Sequence, residues 1–358
     1  MTFQLLRPLA LRALAVAGLT ATLVACSTAE PPPPPAPAPL PPAPVAVNSP
    51  APPPVGLSIR VVQQASAFRS YMRRAAAITP TFTNGLAIEE SLSQGEAYEA
   101  QQLSQGAIAY AAVVALQEPG FVAGVRTYAV DATQRRALAQ KLLSDPYYAT
   151  ALPGAQAAAG LIIASLNEEA AKVRSVGERV KQSAYDVQHQ SWSKGFITDP
   201  AGRLAHAKVV SSTPMDAEPA DLEQLKKAVT GSDTRAVEQR VAVSAAASAP
   251  PFTPVVIRGL AIGALGALGE AGDENDAAVQ GLLTDSNGGF CLNMSKLNLY
   301  QCLAVAKPWY EDVFCLGQHV LIDTGQCIAK AAGQPQPVPP PAPPSATQTT
   351  PTPGPAGN

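Results

Sequence analysis

AQAAAGLIIASLNEEAAKVRSVGERVKQSAYDVQH, residues Ala155 to His189, follows Pro153-Gly154 and contains no proline of its own. Leu166, Ala170, Val173, Val176, Val180, Ala184 and Val187 recur along it at a spacing of about 3.5 residues, the period of one helix face. Lys172, Arg174, Glu178, Arg179 and Lys181 fall on the other faces. The pattern predicts a helix of about 35 residues buried along a single stripe. Such a stripe suits either packing inside a bundle or a coiled coil with a second molecule. Ala and Val, rather than Leu, along most of it favour the bundle.

The rest of the central sequence reads the same way. Ala, Gln, Glu, Leu and Arg are abundant, and breaks come at Pro and Gly, which is the composition of helices. A first helix is expected over Leu57 to Ile78, stopped by Thr79-Pro80. Leu86 to Leu116 reads as one long or two shorter helices, ending before Glu118-Pro119-Gly120. Asp131-Ala132-Thr133-Gln134 has the form of a helix start, and Asp145-Pro146 closes that helix after Leu143. The fold class expected is mainly α: a helical bundle with a disulfide-stapled C-terminal helical hairpin, flanked by disordered Pro-rich tails.

The ends of the chain differ from this middle. Arg7 and Arg12, with no acid, precede an apolar run from Ala13 to Ala25. Thirteen helical residues reach only about 20 Å, short of a hydrocarbon core of about 30 Å, so a secretory signal is the better reading than a membrane span. The run ends in Leu23-Val24-Ala25-Cys26, which resembles the lipobox of bacterial lipoproteins. That resemblance implies cleavage before Cys26, lipidation of Cys26, and, with Ser27 rather than aspartate next, a place at the outer membrane facing the periplasm. Fourteen prolines between Pro31 and Pro54 then disfavour helix and sheet and read as an extended spacer. Ten more lie in GQPQPVPPPAPPSATQTTPTPGPAGN, Gly333 to Asn358, which has no charge and no large hydrophobe.

The organisation expected is a signal peptide at 1–25, a lipidated Pro-rich linker at 26–56, and a helical domain at 57–210. A linker with a connecting helix follows at 211–254, then a Cys-containing helical domain at 255–332 and a disordered Pro-rich tail at 333–358. Within the linker, Ser211 to Ala220 and Ser244 to Pro254 are the joints, and Asp221 to Val243 is the connecting helix. Past it, VVIRGLAIGALGALGEAG, Val255 to Gly272, has a Gly259-xxx-Gly263 spacing. Arg258 and Glu270 leave too short an uncharged run to span a membrane, so a tightly packed core helix is expected.

Cys291, Cys302, Cys315 and Cys327 are the only cysteines besides Cys26. An even number in an exported chain predicts two disulfides. Three connectivities are possible. If 293–307 and 309–331 are helices meeting at Lys307-Pro308, the two cysteines on each lie roughly 16 to 18 Å apart, too far to bridge. Nested bonds, Cys302 with Cys315 and Cys291 with Cys327, fit such an antiparallel hairpin. The arrangement resembles the twin-cysteine helical hairpins of the coiled-coil-helix family, with ten and eleven residues between cysteines in place of the usual nine.

Charge excludes one class of partner. The formal net charge is −2, and no Lys/Arg cluster is present, which argues against nucleic acid. Catalytic signals are sparse. Ser191-Trp192-Ser193-Lys194 matches S-x-x-K, but no K-T-G follows. Glu90-Ser91 and Ser104-Gln105-Gly106-Ala107 faintly resemble segments of lysozyme-like lytic transglycosylases, a resemblance that would make Glu90 the general acid. Ile108-Ala109-Tyr110-Ala111 departs from that family's next residues.

Cys315, His319 and Asp323 stand one helical turn apart, but a disulfide would consume the thiol. His189 lies near Tyr185 and Trp192, His206 falls in an expected helix, and no group has metal-ligand spacing. The sequence therefore points to no cofactor and no metal. It suggests a membrane-anchored envelope protein that scaffolds or binds, with an envelope protein or peptidoglycan as partner. The alternative is a peptidoglycan hydrolase using Glu90.

Overall fold

The computed structural model describes residues 51–231 and 247–333. The segment expected as a signal peptide, Cys26, most of the expected 26–56 linker, the tail beyond Gly333 and the second half of the expected connecting helix lie outside them. Among the described residues every regular element is helical, the one β feature being an isolated bridge between Phe196 and Pro308.

The long helix is the spine. Helix α6, Ala155–Val187, starts after Gly154, whose φ of 78° ends the preceding turn, and stops two residues short of the expected His189. Its stripe is buried as the spacing predicts: Leu166, Ala170, Val173 and Val180 are wholly inaccessible, and Val176, Ala184 and Val187 nearly so. The bundle reading holds, because α1 (Ile59–Ala76) and α3 (Ala100–Ala115) pack against α6 within the chain.

Leu86 to Leu116 forms two helices, α2 (Gly85–Glu96) and α3, rather than one. Glu99 makes the break. Its carboxylate accepts from the backbone N–H groups of Gln101 and Gln102 at 2.9 and 2.6 Å, which caps α3 at its start. Short helices α4 (Pro119–Arg126) and α5 (Ala132–Ser144) follow. Asp131 caps α5 through Thr133 and Gln134, both at 2.8 Å.

After α6 come α7 (Pro200–Val210) and α8 (Pro219–Val229). The expected division between 57–210 and 255–332 does not divide the packing, since one continuous core draws on both. Helix α8 is tied to α1: Ser70 Oγ donates to Asp221 at 2.7 Å, and Arg73 does so at 3.0 Å. Helix α9, Pro254–Leu268, is buried almost all round. A Cβ on Gly259 would come within 2.5 Å of the Ala111 methyl, and one on Gly263 within 2.7 Å of the Ala115 methyl. Small residues thus let α9 and α3 approach backbone to backbone, the role expected of the Gly259-xxx-Gly263 spacing. Among the described residues no single helix is long and apolar enough to cross a membrane.

The C-terminal hairpin follows the short α10 (Asp276–Gln280). Its first arm is α11, Ser286–Val305, capped by Asp285 through Gly288 N–H at 2.8 Å. Its second arm is α12 (Trp309–Cys315), a π-helical stretch Leu316–Ile322, and α13 (Asp323–Ala332). Two nested disulfides staple the arms. Cys291 bonds Cys327 and Cys302 bonds Cys315, with Cα separations of 5.7 and 5.8 Å.

The second arm was expected as one regular helix, and the π stretch is the difference. It carries one more residue between its cysteines than the first arm does. A π turn holds more residues per turn than an α turn, so the stretch takes up the extra residue and keeps both cysteines opposite their partners. Gly317 allows it to sit on α6, where a Cβ would lie 2.5 Å from the backbone nitrogen of Lys181.

Candidate functional site

Helices α2 and α7 face each other across a cleft of about 600 Å³, closed at one side by the segment Ile197–Asp199 and by Leu303 of α11. Each wall presents polar groups at positions i, i+4 and i+7 of its sequence. From α2 these are Glu89, Ser93 and Glu96; from the start of α7 they are Asp199, Arg203 and His206. Asn84 caps α2 through Ala87 N–H at 3.0 Å, and Asp199 caps α7 through Gly202 N–H at 2.8 Å. The caps fix where each helix begins and so which residues face the gap.

Two contacts organise the walls. Ser93 Oγ and His206 Nε2 lie 3.1 Å apart and join α2 to α7. Arg203 Nη1 donates to both carboxylate oxygens of Asp312 at 2.7 and 2.8 Å, and its Nη2 donates to the carbonyl of Leu303. Asp312 is wholly buried. Burial pushes its carboxyl up to about 6, and the guanidinium beside it opposes that rise.

Beneath α2 lies a second buried pair. The ammonium of Lys296, on α11, donates to the carbonyls of Tyr98 and Ser211 at 2.6 and 2.8 Å and stands 3.7 Å from the centre of the Tyr98 ring. Burial pulls its pKa down to about 7 against the pull of Glu96. Burial pushes the Glu96 carboxyl up to about 7, opposed by Lys296 and reinforced by Asp312. Glu96 is only 2% exposed, and its Oε2 has no hydrogen-bond partner in the protein. The cleft therefore contains a carboxyl able to hold or release a proton near neutrality, together with the exposed carboxylates of Glu89, Glu90 and Asp199.

Glu90 lines this cleft. The segment that accompanied it in the resemblance does not. Ser104 and Ala107 are buried in α3, and Gly106 packs against Phe68 and the Gln64 carbonyl of α1, a place in the core. Ser91 Oγ donates to the Ala87 carbonyl at 2.8 Å within its own helix. Of the row Cys315, His319 and Asp323, the thiol is bonded to Cys302, while His319 Nδ1 and Asp323 Oδ2 are 2.8 Å apart. His189 is exposed and stands outside the groove that Tyr185 lines. Among the described residues no cluster of three His, Cys, Asp or Glu could hold a metal ion.

Ser93, Glu96, Arg203, Lys296 and Asp312 were missed by sequence reasoning. The repeated i, i+4, i+7 polar spacing on two neighbouring helices was a signal for three of them. Lys296 and Asp312 had none, because their burial is set by elements distant in sequence. Compared with family models, with curated proteins and with solved structures, the chain matches none.

Proposed function

We propose that this chain is a cell-envelope lipoprotein, held by acyl chains on Cys26 at the periplasmic face of the outer membrane, whose helical body is a non-catalytic binding or scaffold protein. Leu23-Val24-Ala25-Cys26 and the proline-rich stretch behind it support the anchor. The two disulfides agree with an oxidising compartment. The observation that carries the binding reading is the cleft between α2 and α7, because its walls are held by caps and cross-contacts while Glu89 and Glu90 remain exposed.

Two experiments test the halves separately. Palmitate labelling in cells is expected for the wild type and not for Cys26→Ser; label in the variant overturns the anchor. Crosslinking in intact cells with mass spectrometry is expected to capture an envelope protein or peptidoglycan fragment through wild type. Leu86→Arg, at an exposed position lining the cleft, is expected to lose it. Capture by both chains alike overturns the cleft as the binding site.

One observation favours a second reading, peptidoglycan hydrolysis. A general acid needs a carboxyl that keeps its proton near neutrality, and Glu96 has that property in the same cleft as Glu89 and Glu90. This reading expects soluble muropeptides from sacculi incubated with the purified protein, and their loss in Glu90→Gln and in Glu96→Gln. No release by wild type rejects it.

A further inference from the structure

The α2–α7 cleft holds an imbalance of charge that its own residues do not settle. Both basic side chains lining it are engaged: Arg203 is spent on Asp312, and His206 faces Ser93. Glu89, Glu90 and Asp199 line the same space, all three are exposed, and none forms an ion pair among the described residues.

A second observation is independent of that rim. Glu96 is nine-tenths buried and more, it lines the cleft, and its Oε2 has no partner. A buried acceptor without a donor is costly, more so when it is charged. The large apolar side chains of the lining are Leu86, Leu92, Ile197 and Leu303, with Thr198 beside them.

From this combination we infer that the cleft binds an organic ammonium group carried on an apolar body. The ammonium sits among Glu89, Glu90 and Asp199, and the apolar body lies along Leu86, Leu92, Ile197 and Leu303. An anion would meet only like charge at the rim, and a neutral apolar ligand would leave three carboxylates without a counter-charge as it displaced their water. The ammonium could belong to a free amine or to a lysine side chain. The chemistry at the cleft is the same for both. The inference deepens the binding reading and rests on it.

The test uses the full chain in a nonionic detergent and saturation-transfer NMR. Three small probes share one carbon skeleton: isopentylammonium, isopentanol and 4-methylpentanoate. Two peptides, acetyl-Leu-Lys-Leu-amide and its norleucine analogue, distinguish a lysine side chain from a free amine. Isopentylammonium is expected to bind best of the three small probes and to weaken as salt is added. Its affinity is expected to fall about tenfold in the triple variant Glu89→Gln, Glu90→Gln, Asp199→Asn, where three exposed counter-charges are removed.

These substitutions lie on the surface, so the thermal midpoint reports whether the fold is kept, and Glu90→Gln alone serves if the triple variant is unstable. Preference for the lysine peptide over its analogue, with little binding of the free amine, keeps the inference and names the source. Equal binding of isopentanol and isopentylammonium together with equal binding of the lysine peptide and its norleucine analogue, or unchanged affinity in the variants, overturns it. If the crosslinked partner persists in the triple variant while the ammonium effect is absent, the binding reading stands and the charge argument alone has failed.

Discussion

Removing the outer staple should destabilise the chain more than removing the inner one. Cys291–Cys327 closes a separation of 36 residues and encloses Cys302–Cys315, which closes 13. With the inner bond present, the outer one closes an effective loop of about 24 residues, and the loop-entropy relation gives about 3.4 kcal/mol for it. With the outer bond present, the inner one is worth about 2.5 kcal/mol, and the two together about 6 kcal/mol. Each pair joins one buried cysteine, Cys327 or Cys315, to one partly buried, Cys291 or Cys302. The packing lost in the two double Cys→Ala variants is therefore similar and largely cancels in their comparison. Urea unfolding followed by circular dichroism reads the difference, and loss of the outer bond should lower the thermal midpoint by about 7 to 14 °C. Reduction of the wild type supplies a control free of substitutions. An inner-pair variant less stable than the outer-pair variant, or a reduced wild type as stable as the oxidised one, would refute the reasoning.

Glu96→Gln should change how stability depends on pH. The folded chain keeps the Glu96 proton up to about 7, whereas the unfolded chain releases it near 4.5; wild-type stability therefore falls as pH rises through that window, by up to about 3 kcal/mol. The variant should lack this fall and be the more stable chain at pH 8, where Lys296 is mostly neutral; calorimetry at pH 5 and pH 8 showing parallel curves would contradict it. Arg203→Met leaves Asp312 buried without its counter-charge and should cost about 3 to 5 kcal/mol at pH 8. The loss should shrink at pH 5, where Asp312 takes up a proton, and equal losses at both pH values by urea titration would show that the pair is not the cause. Gly317→Ala drives a methyl to within 2.5 Å of the Lys181 backbone and should cost about 1 to 3 kcal/mol. Gly281→Ala, with nothing within 4 Å, should be close to neutral, so equal effects in a melting assay would count against the close contact.

Much of the helical layout was legible because its signals are local. The Leu166 to Val187 stripe, Asp131 before Thr133-Gln134, and the breaks at Thr79-Pro80 and Asp145-Pro146 each act within a few residues. The hairpin was legible for a similar reason: helical rise forbids bonds within an arm, which left bonds between arms. The division at 211–254 failed because proline-rich composition marks a turn of the chain, and Asp221 then ties the next helix back to Ser70 and Arg73. The π stretch was hidden, since nothing in LGQHVLI distinguishes it from an α-helix before its partner arm is known.

The candidate site was less legible. The resemblance around Glu90 has a second half, Ser104 to Ala107, that lies in the core. The groups with displaced pKa values, Glu96, Lys296 and Asp312, look in sequence like ordinary solvated charges. Their burial depends on helices brought together from positions 109 to 200 residues apart.

The outer staple also governs how the chain answers a pull. Tension entering at residue 290 and leaving at residue 328 passes through the Cys291–Cys327 sulfurs, and the 36 intervening peptide steps carry none of it. Stretched out, those steps would add about 120 Å of contour. An oxidised chain held at its two ends should therefore extend less than a reduced one by about that length when its fold gives way, and the state of this one bond sets how far the unfolded molecule can reach.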